Sequence, residues 1–239
     1  MSNEHRTPLA YLVKVITPTL QALRAYWPAI LLIQGISLCL VLSYYWIPST
    51  QAVFGRIAEL KVELGITFAA VTTAFSGCVF PELLKRKFRP KGSPAPSFGE
   101  LVHQFMMWAI VGMLVDRFYT LQSMVFGHGN DVTTLVIKVV MDQLVFTPLL
   151  CVPFITLWFL VRETNYSPSR FCASVSLPVL RDRVLPIWAT SLSFWPIMLL
   201  IVYSLPAALQ FPLFLLGNSA FSILMIFIIR HQSDQSAAG

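Results

Sequence analysis

Charge is what this chain has least of. Lys, Arg, Asp and Glu make up 12% of its 239 residues, where soluble domains carry about 25%. A surface so poor in charge excludes an ordinary solvated domain. Paired cysteines are missing too: Cys39, Cys78, Cys151 and Cys172 are scattered, with no Cys-x-x-Cys spacing. That leaves neither a disulfide framework nor a zinc site, and the first three lie in apolar runs as small packing residues. There is no Gly-x-Ser-x-Gly elbow, no phosphate-binding glycine loop and no His-Glu-x-x-His pair. Neither an enzyme nor a bound cofactor is expected. His128 and Asp131 in the segment GHGND read as turn residues rather than metal ligands. The opening MSNEHRTPLAYLVKVI has a short apolar core broken by Lys14 and no small-residue cleavage site, so it is not read as a signal peptide. It also lacks the Arg and Ser enrichment of a transit peptide.

What is present is apolar sequence. Hydrophobic residues reach 56% and the mean hydropathy is +0.70. Six runs are long enough to cross a bilayer, which takes about 20 helical residues. They are Pro28–Ile47, Leu60–Phe80, Phe98–Val115, Val139–Val161, Val184–Leu205 and Phe211–Ile229. Backbone groups in lipid must pair within their own segment, and short alternating strand patterns are missing, so the runs are expected to be helices. The expected fold is an all-α polytopic membrane protein, a bundle of about six transmembrane helices. Residues 1–27 form a cytoplasmic amphipathic segment in which Leu9, Leu12, Val13, Ile16, Leu20 and Leu23 predict an interfacial helix, interrupted near Pro18. Residues 231–239 read as a disordered cytoplasmic tail.

The net charge of +6 fits basic cytoplasmic loops rather than nucleic-acid binding. With both termini cytoplasmic, only Arg56, Lys61, Arg117 and Lys138 of the basic residues fall outside, as the positive-inside rule requires. The loop PELLKRKFRPKGSPAPSFGE concentrates Lys85, Arg86, Lys87, Arg89 and Lys91. Anionic lipid headgroups are the partner such a connector suits, although topology alone accounts for it. The bilayer itself is the expected partner, and an oligomer is compatible with the pattern.

Polar residues inside these runs are then the candidates for function, because an intramembrane ionisable group is costly and usually has a task. Lys138 and Asp142 are four apart and share a helix face, with Gln143 beside them. Asp116 and Arg117 close the third run at the same membrane level. Two readings of this cluster stand side by side. In one it is a neutral clamp between helices. In the other, Asp142 and Gln143 line a polar path whose field Arg117 and Lys138 set. Small residues at Gly65, Ala69, Thr73 and Gly77 form a stripe for close helix approach. Pro196 and Pro206 free backbone carbonyls that need partners, and Asn218 is one such partner.

Three ordered stretches also resemble the Mpv-seventeen and peroxisomal-membrane-protein-twenty-two family of small integral membrane proteins. The first is Phe118-Tyr119-Thr120-Leu121 after the third run. The second is Lys138-x-x-x-Asp142-Gln143 followed by Phe146 and Pro148. The third is Trp195-Pro196 with Tyr203 and Pro206, then Asn218-Ser219 and Ser222. The resemblance covers residues 60–230 and makes 28–47 an additional transmembrane helix. Departures are visible: Cys78 follows Gly77 where the family has Asp, Asp116 replaces a His, and Leu199, Val202 and Gln210 stand at usually polar positions. The resemblance implies a channel or pore for a small solute or ion, involved in membrane permeability and homeostasis. It would be touched by Asp116, Arg117, Lys138, Asp142, Gln143 and Asn218. A non-conducting structural or interaction protein is the alternative. A bacterial cytoplasmic membrane is the expected location, with an organelle membrane as the alternative.

Overall fold

The computed structural model describes residues 27–28, 30–88, 95–129 and 131–238, with side chains for all of these except 84, 87, 88 and 223–238. Among the described residues every regular element is helical. In order they are α1 (Ile30–Trp46), α2 (Pro48–Leu64), α3 (Ile66–Ala74), a π-helical segment (Phe75–Val79), α4 (Phe80–Phe88), α5 (Phe98–Phe126), α6 (Val132–Met141), a second π-helical segment (Asp142–Cys151), α7 (Val152–Glu163), α8 (Pro168–Ser174), α9 (Leu177–Tyr203) and α10 (Ala207–Ala238).

Among the described residues four helical stretches are long and apolar enough to cross a membrane: Ile66–Leu83, Phe98–Phe126, Val132–Glu163 and Leu177–Tyr203. A fifth arises if α1 and α2, inclined at 103°, count as one broken span. The described residues thus form an all-helical protein with four to five candidate spans, compatible with an integral membrane protein. The expected run Phe211–Ile229 lies in α10. That helix continues to Ala238, across most of the stretch expected as a disordered tail. No proline or glycine interrupts it after Gly217. Of the amphipathic segment expected at 1–27, residues 1–26, with the interfacial helix, lie outside the described residues.

Two boundaries differ from the sequence reading for local reasons. Residues 48–64, expected mostly as a loop, form α2, with Pro48 in its first turn where the missing N–H costs nothing. Gly65 (φ 54°, ψ −130°) then joins α2 to α3 in a conformation that other residues rarely adopt. It is a joint, not part of the packing stripe. The run expected to end at Val115 extends to Phe126 as α5. Its start is fixed by a capping box, in which Ser97 Oγ accepts from the Glu100 amide and Glu100 Oε2 accepts from the Ser97 amide. Asp131 caps α6 by accepting from the Thr134 amide and hydroxyl, bonds that hold its carboxyl below the usual carboxylate range.

The chain divides into two compact units, one containing Val140–Pro196 and a larger one built from Pro28–Val139 and Ile197–Gly239. In the larger unit α3 packs closely on α5. Ala69 and Thr73 are fully buried, and Gly112 lies so near the Ala69 carbonyl and the Thr73 side chain that no β-carbon fits. Gly77 likewise faces the Trp108 ring. These small residues allow the two backbones to approach within van der Waals contact, the main attraction available between helices in lipid.

Candidate functional site

In the 140–196 unit, the expected Asp142–Gln143 pair sits in the second π-helical segment, and Pro148 gives a reason for that geometry. A proline inside a helix has no N–H to donate and its ring clashes with the preceding turn. Widening the turn to the π register relieves the clash. In that register an amide at position 148 would donate to the Gln143 carbonyl, five residues earlier, and proline has none, so that oxygen lacks this helical partner. The indole Nε1 of Trp188 in α9 supplies one at 2.6 Å.

The side chains around it are satisfied in the same way. Gln143 Nε2 donates to Asp142 Oδ1 at 2.9 Å and approaches Thr147 Oγ1 at 3.3 Å. Thr147 Oγ1 donates to Asp142 Oδ1 at 3.2 Å, and Ser191 of α9 donates to Gln143 Oε1 at 3.3 Å. Asp142, Gln143 and Thr147 are all buried. The arrangement bonds the π-helical segment to α9. At the exposed end of the same unit, Arg183 forms a two-pronged pair with Glu163 at 2.9 and 2.8 Å.

This geometry yields a prediction. Trp188→Phe orphans the Gln143 carbonyl and should cost about 1–3 kcal/mol, seen as a lower unfolding temperature in detergent. In a Pro148→Ala background an amide can again serve that carbonyl. There the Trp188→Phe penalty should fall to near zero, and additive penalties would refute the link.

In the larger unit, Asp116 meets Lys61 of α2, Nζ to Oδ1 at 3.1 Å, with both side chains mostly buried. The contact is an ion pair without hydrogen-bond geometry, since Oδ1 has no hydrogen-bond partner. The Lys61 ammonium also lies 5.2 Å from the Phe211 ring centroid, close enough for a cation–π attraction. The neighbouring Arg117 is exposed. Lys138 is 1% exposed and donates to the Gly127 carbonyl at 2.7 Å, closing the segment between α5 and α6.

One and two turns along α5 from Asp116 lie Tyr119 and Gln122, both buried. Tyr119 stacks edge-on against Tyr203 (5.2 Å) and Phe214 (6.0 Å). Gln122 Nε2 donates to the Tyr203 hydroxyl at 2.9 Å. Further along the unit, Asn218 Nδ2 donates to Ser76 Oγ at 3.0 Å. Ser76 is in the first π-helical segment. Among the described residues, Thr73 Oγ1 and Gln122 Oε1 of this unit are, like Asp116 Oδ1, buried without a hydrogen-bond partner, and so is Thr156 Oγ1 in the 140–196 unit. From Gln122 to the level of Gly112 and Thr73 is ten residues of α5, about 15 Å of helix.

Of the residues singled out from sequence, the structure thus bonds Asp142 to Gln143 and puts Tyr119 with Tyr203. Trp195 and Pro196 are half-buried within α9, and Pro206 is exposed at the break before α10. Sequence reasoning missed Lys61, Gln122, Thr147, Trp188 and Ser191 as polar partners. Gln122 was findable: it continues the face of Asp116 and Tyr119 once the Ser97–Glu100 capping box and Gly127 are taken as the ends of α5. Among the described residues no group of three or more His, Cys, Asp and Glu side chains is placed to hold a metal.

Comparison of the chain with protein-family models, curated proteins and solved structures finds no match. The functional reading therefore rests on the site itself and on the motif resemblance.

Proposed function

We propose that this protein is a multi-pass membrane protein that passes small polar solutes or ions, in the manner the family resemblance implies. The polar face of α5, with Asp116 and Gln122, lines the path. The observation that carries this reading is the unpartnered buried oxygen of Gln122. A polar atom without a partner in a bilayer-spanning bundle costs several kcal/mol, and water or a permeant is the partner that removes this cost. Lys61 and Asp116 set a near-neutral local field at one end of this face. In this reading α10 is the sixth span, Asp142 and Gln143 brace the bundle, and the work is permeation rather than catalysis. The distribution of basic residues favours both termini on the cytoplasmic side, and the membrane in this reading is the bacterial cytoplasmic one.

Purified protein in liposomes should release small polar solutes faster than empty vesicles, and Gln122→Leu should reduce that release severalfold in protein whose circular dichroism spectrum shows it folded. Flux equal to that of empty vesicles, across several voltages and redox conditions, would contradict the proposal.

A second reading, a non-conducting structural protein, draws on the saturated Asp142–Gln143–Thr147–Ser191 network. It expects Asp142→Asn to lower stability and every variant to leave vesicles sealed.

A further inference from the structure

Beside the α4 end of the Ile66–Leu83 span lies a groove of about 360 Å³, within the larger unit. Val79, Leu83, Phe98, Leu101, Val102 and Phe105 form its walls. At its inner end the Cys78 thiol lies 3.7 Å from the Leu101 carbonyl. From Cys78 to Arg86 is eight residues of helix, about 12 Å. Arg86 lines the mouth, with exposed Lys85 next to it. Glu82 also lines the groove but is buried and engaged within the protein. The sequence adds Lys87, Arg89 and Lys91 just beyond.

An apolar slot that deepens into the bilayer from a basic mouth is complementary to one class of molecule. We infer that the groove holds one acyl chain of an anionic phospholipid, with the lipid phosphate against Arg86 and Lys85. A zwitterionic lipid fills the slot equally well but brings a choline or ethanolamine cation towards the same bases, so net headgroup charge is what the site selects. Basic side chains at headgroup level attract anionic lipid in this way, and an apolar pocket with a few convergent polar groups is the usual form of a ligand site. The inference stands on the membrane location of α4 and α5 and is independent of conduction.

The test uses full-length protein, stripped of lipid in detergent, and native mass spectrometry with phosphatidylglycerol and phosphatidylcholine of identical chains. The native protein should retain phosphatidylglycerol roughly 30-fold better, the equivalent of two basic side chains at the headgroup. Lys85→Gln with Arg86→Gln should bring the two lipids to near-equal retention. Val102→Trp, which fills the slot, should lower retention of both while the circular dichroism spectrum stays unchanged. Equal retention by native protein would make the groove an annular-lipid contact and overturn the inference. So would an anionic preference that survives the double substitution. Displacement of the lipid by glycerol 3-phosphate alone would replace the acyl-chain site with a simple anion site and overturn it as well.

Discussion

Gly112→Ala should lower the unfolding temperature sharply, and Gly112→Leu should abolish folded protein in detergent. A β-carbon at residue 112 would collide with the Ala69 carbonyl oxygen and the Thr73 side chain. The first is backbone and cannot turn aside, so α3 and α5 must separate. Overpacking of this kind costs about 1–3 kcal/mol for a single methyl group, and separation also weakens the dispersion contacts between the helices. Gly55→Ala in α2 is the matched control, because nothing lies within 4 Å of a β-carbon there. It should be neutral or stabilising by up to about 1 kcal/mol through helix propensity. If Gly112→Ala and Gly55→Ala behave alike in a thermal melt, the close packing of α3 on α5 is wrong.

The second large effect concerns Lys61 and Asp116. Lys61→Met leaves the Asp116 carboxylate, with a side chain 10% exposed, without its cation. Removing one partner of a buried pair costs about 3–5 kcal/mol. The Lys61 side chain retains 17% exposure, and solvent screening reduces the expected loss to about 2–3 kcal/mol. Replacing both partners removes the stranded charge, so Lys61→Met with Asp116→Leu should recover most of the lost stability. A double-substitution cycle read by thermal unfolding decides the point. Strictly additive losses would mean that the two side chains are not coupled.

These two contacts show what the sequence could and could not convey. The stripe of Ala69 and Thr73 on α3 and Gly77 in the π-helical segment after it is visible as a four-residue spacing. Its partner Gly112 is not, because spacing on one helix does not say which helix it meets. Asp116 is visible as an acid just beyond an apolar run, and if that run spans a membrane the cost of the charge calls for a basic partner. That the partner is Lys61 depends on α2, and α2 was hidden inside a stretch of mixed polarity that reads as a loop. Pro48 marked its start and Gly65 its end. The π-helical register at Asp142–Cys151 was legible only as the presence of Pro148. Its consequence, the need for Trp188 at the Gln143 carbonyl, follows once the register is known. The apolar runs, by contrast, were plain from hydropathy, because a bilayer leaves a spanning segment little choice of composition or of secondary structure.

Permeation requires the polar face of α5 to be wet. Cysteine scanning reads this directly, in protein whose Cys39, Cys78, Cys151 and Cys172 have been replaced. Gln122 and Leu121 are neighbours on α5, the first 2% exposed and the second 55% exposed. In proteoliposomes, Gln122→Cys should react with a small, charged, membrane-impermeant thiosulfonate, while Leu121→Cys should not. Labelling of Leu121→Cys with Gln122→Cys inert, or no labelling of either, would contradict a hydrated path and leave a dry, packed bundle in its place.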